Sequence, residues 1–159
     1  MPVTSAQVVS LHINPGHREP LRFVDRAEFV AGKGIEGDRH ATDKPERRDF
    51  QVLLIDEDTL RDVNVSPGDV RENVTTSGID IASLPLGQLL SLGQQVVLRI
   101  SKPAAPCSRM EEVRPGLQAD LEGRRGMLAS VEQSGTVVVG DTVALLSEAI
   151  QPIGASEQA

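Results

Sequence analysis

Along the 159 residues the apolar positions recur in short runs or at every second residue, the period of a half-buried β-strand rather than of a helix. "VVSLHI" sets Val9, Leu11 and Ile13 on one face, and "QVVLRI" alternates Val96, Leu98 and Ile100 in the same way. "QVLLI" at 51–55 is a continuous apolar run, and "AEFVA" at 27–31, "MLASV" at 127–131, "TVVVG" at 136–140 and "TVALL" at 142–146 complete the strand candidates. "EQSG" and "GD" divide the last three with turn residues, so the C-terminal third reads as a meander. Helical signals are few. "DEDTLRDV" opens on Asp56 as a capping residue with acids in the first turn, and "RPGLQADLEG" has Pro115 near its start and Gly123 beyond its end. Brief strands broken by Gly and Pro turns, with a few short helices, predict a mainly β fold built as a closed or nearly closed β-barrel. The length suits one domain over residues 1–146, with the weakly patterned residues 147–159 as a flexible tail.

Composition narrows the chemistry. With 2% aromatic residues and no Trp or Tyr, the core has to be aliphatic. No apolar run reaches the length of a membrane span and the N-terminus lacks the pattern of a secretion signal, which predicts a cytoplasmic protein without a membrane partner. A single cysteine excludes an internal disulfide, and cysteine-only zinc or iron–sulfur sites need more thiols. A formal charge of -7 without a basic, aromatic-interleaved run argues against nucleic acid. Thirteen of the sixteen cations are nonetheless Arg, the side chain that recognises phosphate and carboxylate with a two-pronged fork.

That lone cysteine, Cys107, lies in "KPAAPCSRM", where Pro103 and Pro106 stiffen the approach and place it at the end of an extended segment. Ser108 as a cap of "SRMEEV" and the neighbouring Arg109 both favour a thiolate. Such a sulfur serves as nucleophile, persulfide carrier or ligand to a metal such as molybdenum; the alternative is a small buried hydrophobe. In "GKGIEGDRHA" three glycines in six residues allow a close backbone approach, and Arg39 beside His40 pairs an anion fork with a proton-passing ring. The spacing is neither a dinucleotide turn nor a P-loop. If that segment is extended, Glu36, Asp38 and His40 share one face with a spacing that suits a divalent metal; a solvated loop pairing its acids with Lys33 and Arg39 is the other reading. His12 and His17 lack supporting ligands and read as structural.

"SPGDVRENVTTSGIDI" offers Arg71, Asn73 and the hydroxyls of Thr75, Thr76 and Ser77 around two glycines, a loop able to grip an oxygen-rich ligand or to satisfy its own backbone. "GRRGMLASV" sets Arg124 and Arg125 between glycines ahead of a strand. Residues 99–125 hold six cations and four acids, so the surroundings of the cysteine are locally positive in an acidic chain.

In the order "GIEGDRHA", "PGDVRENVTTSGIDIASLPLGQLLSLG", "KPAAPCSRMEEVRPGL" and "GRRGMLASVEQSGTVVVGD", the motifs resemble the MOSC family, the molybdenum-cofactor sulfurase C-terminal domain, over residues 30–146. The resemblance implies a barrel-like β fold and a cysteine, here Cys107, that carries sulfur or ligates the molybdenum of a molybdopterin-type cofactor. By position it assigns Arg39 and His40 to the "GDRH" element, Arg71, Asn73 and Thr75 to the loop lining the cofactor pocket, and Arg109 to the residue pair after the cysteine. Catalytic roles fall to Cys107 and His40. The pyridoxal-phosphate domain of the sulfurases has no counterpart here, so the chain is expected to accept sulfur from a cysteine desulfurase, or to take electrons from a donor protein while reducing N-hydroxylated substrates. A non-catalytic module that binds an anionic small molecule or partner protein through the same arginines is the alternative.

Overall fold

The computed structural model describes residues 6–147, so the expected tail at 147–159 lies, apart from Ser147, outside the described residues. The strands are β1 (Gln7–Ile13), β2 (Arg22–Val24), β3 (Arg26–Val30), β4 (Gly34–Ile35), β5 (Val52–Asp56), β6 (Val74–Ser77), β7 (Leu89–Leu92), β8 (Val96–Pro103), β9 (Met127–Gln133), β10 (Gly135–Val138) and β11 (Val143–Leu146). The helices α1 (Glu57–Asp62), α2 (Met110–Val113) and α3 (Leu117–Asp120) are short, and 3-10 turns span Pro45–Phe50 and Ile81–Ser83. An eight-stranded sheet runs β11-β7-β8-β9-β5-β6-β1-β2, and a three-stranded sheet runs β10-β3-β4. Neighbours are antiparallel except β5 and β6, which are parallel.

The mainly β character with few short helices agrees with the pattern of the sequence, but the sheets are not closed into a barrel. Instead the start of β1 meets the residue before β11 through one isolated bridge, Gln7 to Thr142, with Val8 N donating to Asp141 O and Val143 N to Ala6 O. A strand pair needs a ladder to close a barrel, and a single bridge does not provide one.

The expected C-terminal meander also gives way. β9 lies between β8 and β5, β10 leaves for the small sheet to pair with β3, and β11 returns to the edge beside β7. The switch pairs Val137 with Ala27, and both are buried in the main core. In β1 a register shift between Val8 and Ser10 breaks the simple alternation, so Val8 rather than Val9 joins Leu11 and Ile13 in the core.

Strand β5 explains where the site forms. All five of its residues are buried, because both faces are covered. Val52 and Leu54 enter the main aliphatic core with Val74, Leu98, Ala129 and Val131, while Ile55 faces a second cluster of Leu60, Val63, Val70, Met110, Leu117 and Leu121. That second cluster docks the helices on the outer face of the sheet. Asp56 caps α1 by accepting from Thr59 N at 3.0 Å, as its position in the sequence predicts. No helix among the described residues is long and apolar enough to cross a membrane.

Candidate functional site

Several distant chain segments meet on the rim of one cavity of about 330 Å³. Gly37, with φ 89°, turns the chain after β4 and swings Arg39 and His40 toward the opening. The connection from α1 to β6 brings Arg71 and Asn73, the segment after β8 brings Cys107 and Arg109, and the turn before β9 brings Arg125. Arg47 and Phe50 of the 3-10 turn complete the polar and aromatic rim, with Lys102 Nζ 4.3 Å and the Arg47 guanidinium carbon 4.8 Å from the centre of the Phe50 ring.

A buried carboxylate organises the histidine side. Asp38 Oδ1 accepts from Asn14 N at 2.7 Å and Asn73 Nδ2 at 3.0 Å, and Oδ2 accepts from His40 N and pairs with His40 Nδ1, both at 3.0 Å. Burial pushes the Asp38 carboxyl upward, but the bonds from His40 and Asn14 outweigh it and hold its pKa below the ordinary value. As a carboxylate only accepts, the His40 proton sits on Nδ1 and Nε2 is left for the cavity. Glu36 is exposed and Asp38 faces inward, so the Glu36, Asp38 and His40 metal face that an extended segment would give does not form: the turn at Gly37 ends the extended run. Among the described residues no group of three or more His, Cys, Asp or Glu is arranged to hold a metal ion.

The arginines crowd one another. Arg71 occupies the left-handed region at φ 65° and donates from one terminal nitrogen to Asn14 Oδ1 and Glu19 O, both at 2.8 Å. Its pKa is lowered first by burial and then by Arg109 and Arg39, with Arg125 adding to the repulsion and Asp38 opposing it. Arg125 donates to Ala105 O at 2.8 Å and Val70 O at 3.0 Å. Burial lowers its pKa, Cys107 and Glu72 act in the opposite sense, and Arg109 adds to the lowering. The Nε atoms of both Arg109 and Arg125 are buried without a hydrogen-bond partner among the described residues. Mutually repelling cations with unspent donors form a receptor for an anion.

Cys107 is exposed on the same rim. Its loop is anchored one turn later by Met110, which is buried in the second core cluster. Ser108 does not cap α2: Arg109 holds that position with αR backbone and no side-chain cap bond, and the helix has only 4 residues.

Cys107, His40, Arg39, Arg71, Asn73 and Arg109 are thus brought together, and Thr75 is not. Val74–Ser77 is a strand beside β5 rather than a ligand loop, so Thr75 is fully buried and its hydroxyl donates to Glu72 Oε2. Asn73 reaches the cavity but spends its amide on Leu53 N, His12 O and Asp38. Arg125 and Arg47 are the site residues that sequence reasoning did not select, and Asp38, which it weighed as a metal ligand, serves instead to hold His40. "GRRG" signalled a basic pair, but only the fold distinguishes Arg125, which enters the cavity, from Arg124, which pairs with Asp62 at 3.2 Å. Arg47 has no signal in the sequence.

A reductase from Gibberella moniliformis (strain M3125 / FGSC 7600) is 28% identical over 139 residues, covering 77% of this chain and 24% of the reductase. The chain therefore spans about a quarter of that relative's length. Among solved structures, the YuaD protein from Bacillus subtilis aligns with a TM-score of 0.75 and 23% identity over 89% of this chain and 96% of its own. YiiM from Geobacillus stearothermophilus aligns at 0.69 and 18% over 96% and 85%, and YiiM from Escherichia coli at 0.65 and 19% over 89% and 70%. At these identities the structural likeness is one of fold. The MOSC domain matches residues 37–144, a span that takes in the arginine rim, the buried Asp38 and the cysteine, and the chain belongs to that family.

Proposed function

We propose that the arginine-lined cavity binds a molybdopterin-type cofactor, with Cys107 as the protein ligand to molybdenum, and that the chain serves the two-electron reduction of N-hydroxylated substrates with electrons from a separate donor protein. The observation that carries this reading is the convergence of Arg39, Arg47, Arg71, Arg109 and Arg125 with the one exposed thiol on a single cavity. The donor set fits the group: a phosphorylated pterin brings anionic oxygens for the buried, unpartnered Nε atoms of Arg109 and Arg125, and a thiolate is a soft ligand suited to molybdenum. When bound, the molybdenum supplies the redox chemistry. The residues of the chain do the rest: the arginines hold and neutralise the anionic end, and the ordered loop from Pro103 to Met110 presents the sulfur. Asp38 keeps His40 in the tautomer whose Nε2 faces the cavity, positioned to relay a proton. The distant relative bearing the name reductase supports the class of reaction.

The test is elemental and pterin analysis of protein produced in a cofactor-competent host. Wild type is expected to retain molybdenum and Cys107→Ala to lose it; equal molybdenum in both removes the ligand role. The exposure of Cys107 favours a second reading, in which the thiolate attacks the persulfide of a desulfurase, takes its outer sulfur and releases the donor's thiolate. Mass spectrometry after incubation with a desulfurase and cysteine is then expected to find one added sulfur on the peptide containing Cys107.

A further inference from the structure

Beside the arginine cavity lies a second concavity of about 280 Å³, walled by Leu21, Phe23, Met110 and Val113 and floored by Gly68. The two chambers share Arg71, Arg109 and Met110, so the guanidinium pair stands as a partition that reaches both sides. The wall is unusual for a surface: Phe23 is 64% exposed, yet its ring is fixed edge-on to the buried His12 with centroids 4.4 Å apart. It also lies so close over Gly68 that a Cβ there would fall 2.7 Å from the ring. Val113 opposite is likewise exposed. A rigid, solvent-facing aromatic ring across from aliphatic side chains is a preformed slot for a flat apolar group.

The charges around the slot are unequal in what they have left to give. Glu112 is taken by Arg18 at 3.0 Å, and Asp69 accepts from Ser66 N. Arg71 binds Asn14 and Glu19 through one terminal nitrogen, and Arg109 forms no ion pair among the described residues, so its terminal nitrogens are left for a ligand. Both acids on the rim have donors of their own, while Arg71 spends only one terminal nitrogen, on neutral oxygens, and Arg109 has no ion-pair partner among the described residues, so the attraction at the inner end of the slot is for an anion.

We propose that this groove is a substrate chamber that selects a small molecule with a single-ring or short aliphatic body and an anionic head, the body lying between Phe23 and Val113 and the head on Arg71 and Arg109. This rests on the preceding reading only for the reaction that follows; binding itself needs no molybdenum. Compounds with this shape would present their anionic head, at the partition, to the chamber that holds Cys107.

Calorimetric titration of metal-free protein with 3-phenylpropionate tests it, with propionate and 3-phenylpropionamide as the bodiless and chargeless counterparts. Saturable binding is expected for the phenyl acid and at least about tenfold weaker binding for both counterparts. Phe23→Ser and Val113→Glu, both at exposed positions, are each expected to weaken the phenyl acid by about tenfold while thermal unfolding stays cooperative. No saturable binding of the phenyl acid, equal binding of the amide, or undiminished binding in both variants overturns the proposal. Because the protein is metal-free, those outcomes leave the cofactor reading untouched, and that reading stands or falls on the molybdenum analysis alone.

Discussion

Nδ1 of His40 lies 3.0 Å from Oδ2 of Asp38, whose own side chain has no solvent exposure. All four bonds to the Asp38 oxygens come from donors, so an amide in its place turns its NH2 group against two of them. Asp38→Asn is expected to cost about 2–4 kcal/mol in urea denaturation at neutral pH. Since the folded pKa of Asp38 is below its ordinary value, its stabilisation is present above the carboxylate range and lost as pH falls through the folded value. The difference between wild type and the Asn variant should therefore shrink below about pH 4.

Glu72 behaves in the opposite sense. It is fully buried, and burial raises its pKa against the bonds from Thr75 and Gly68 N and the nearby His12. The folded protein then holds a proton that the unfolded chain releases, so wild-type stability falls as pH rises from about 4.3 toward the higher folded value. Glu72→Gln should remove that decline, and denaturation midpoints from about pH 4 to about pH 7 measure it.

The φ of 65° at Arg71 separates two effects that one substitution would mix. Arg71→Gly and Arg71→Ala both delete the guanidinium, but only Gly relaxes the left-handed backbone, so the Gly variant should be the more stable by about 1 kcal/mol. Inorganic phosphate should raise the melting temperature of wild type by linkage and raise that of both variants less. An equal rise in all three would leave the arginine cluster without a ligand role.

What the sequence made legible, and what it concealed, divides along a physical line. Strands such as Val96–Pro103 and the Asp56 cap depend on neighbours in the chain, and the alternation and capping rules reach them. Motif order brought Cys107, Arg39, His40, Arg71 and Arg109 forward, and the fold puts them on one cavity. Thr75 defeated the same reasoning because a polar run of threonines serves equally as loop or as strand, and the parallel pairing with β5 that decides it lies 20 residues away, at Leu54 opposite Val74. Open sheets against a closed barrel, and Arg125 against Arg124, likewise depend on contacts between distant segments that no local pattern encodes.

Cys107→Ala should change stability by no more than about 0.5 kcal/mol, because the thiol is exposed. A thermal scan thus checks that any loss of molybdenum in this variant is a loss of a ligand and not of the fold.

Gly126 sits at the opposite extreme. At φ 106°, a Cβ there would come 2.2 Å from Leu54 O, so Gly126→Ala should cost about 3 kcal/mol or more and carry Arg125 out of position with it. Denaturation and phosphate-induced stabilisation should fail together in this variant.

Arg125 grasps the carbonyl of the buried Val70 with one hand and that of Ala105 with the other, so one guanidinium stitches together the segments that carry the two lips of the entrance, Arg71 and Ala105. Neither lip can lift without tearing a charge-assisted hydrogen bond, and the doorway is stiff before any guest arrives. Selection at such a doorway is by shape already set, with little ordering left to oppose entry.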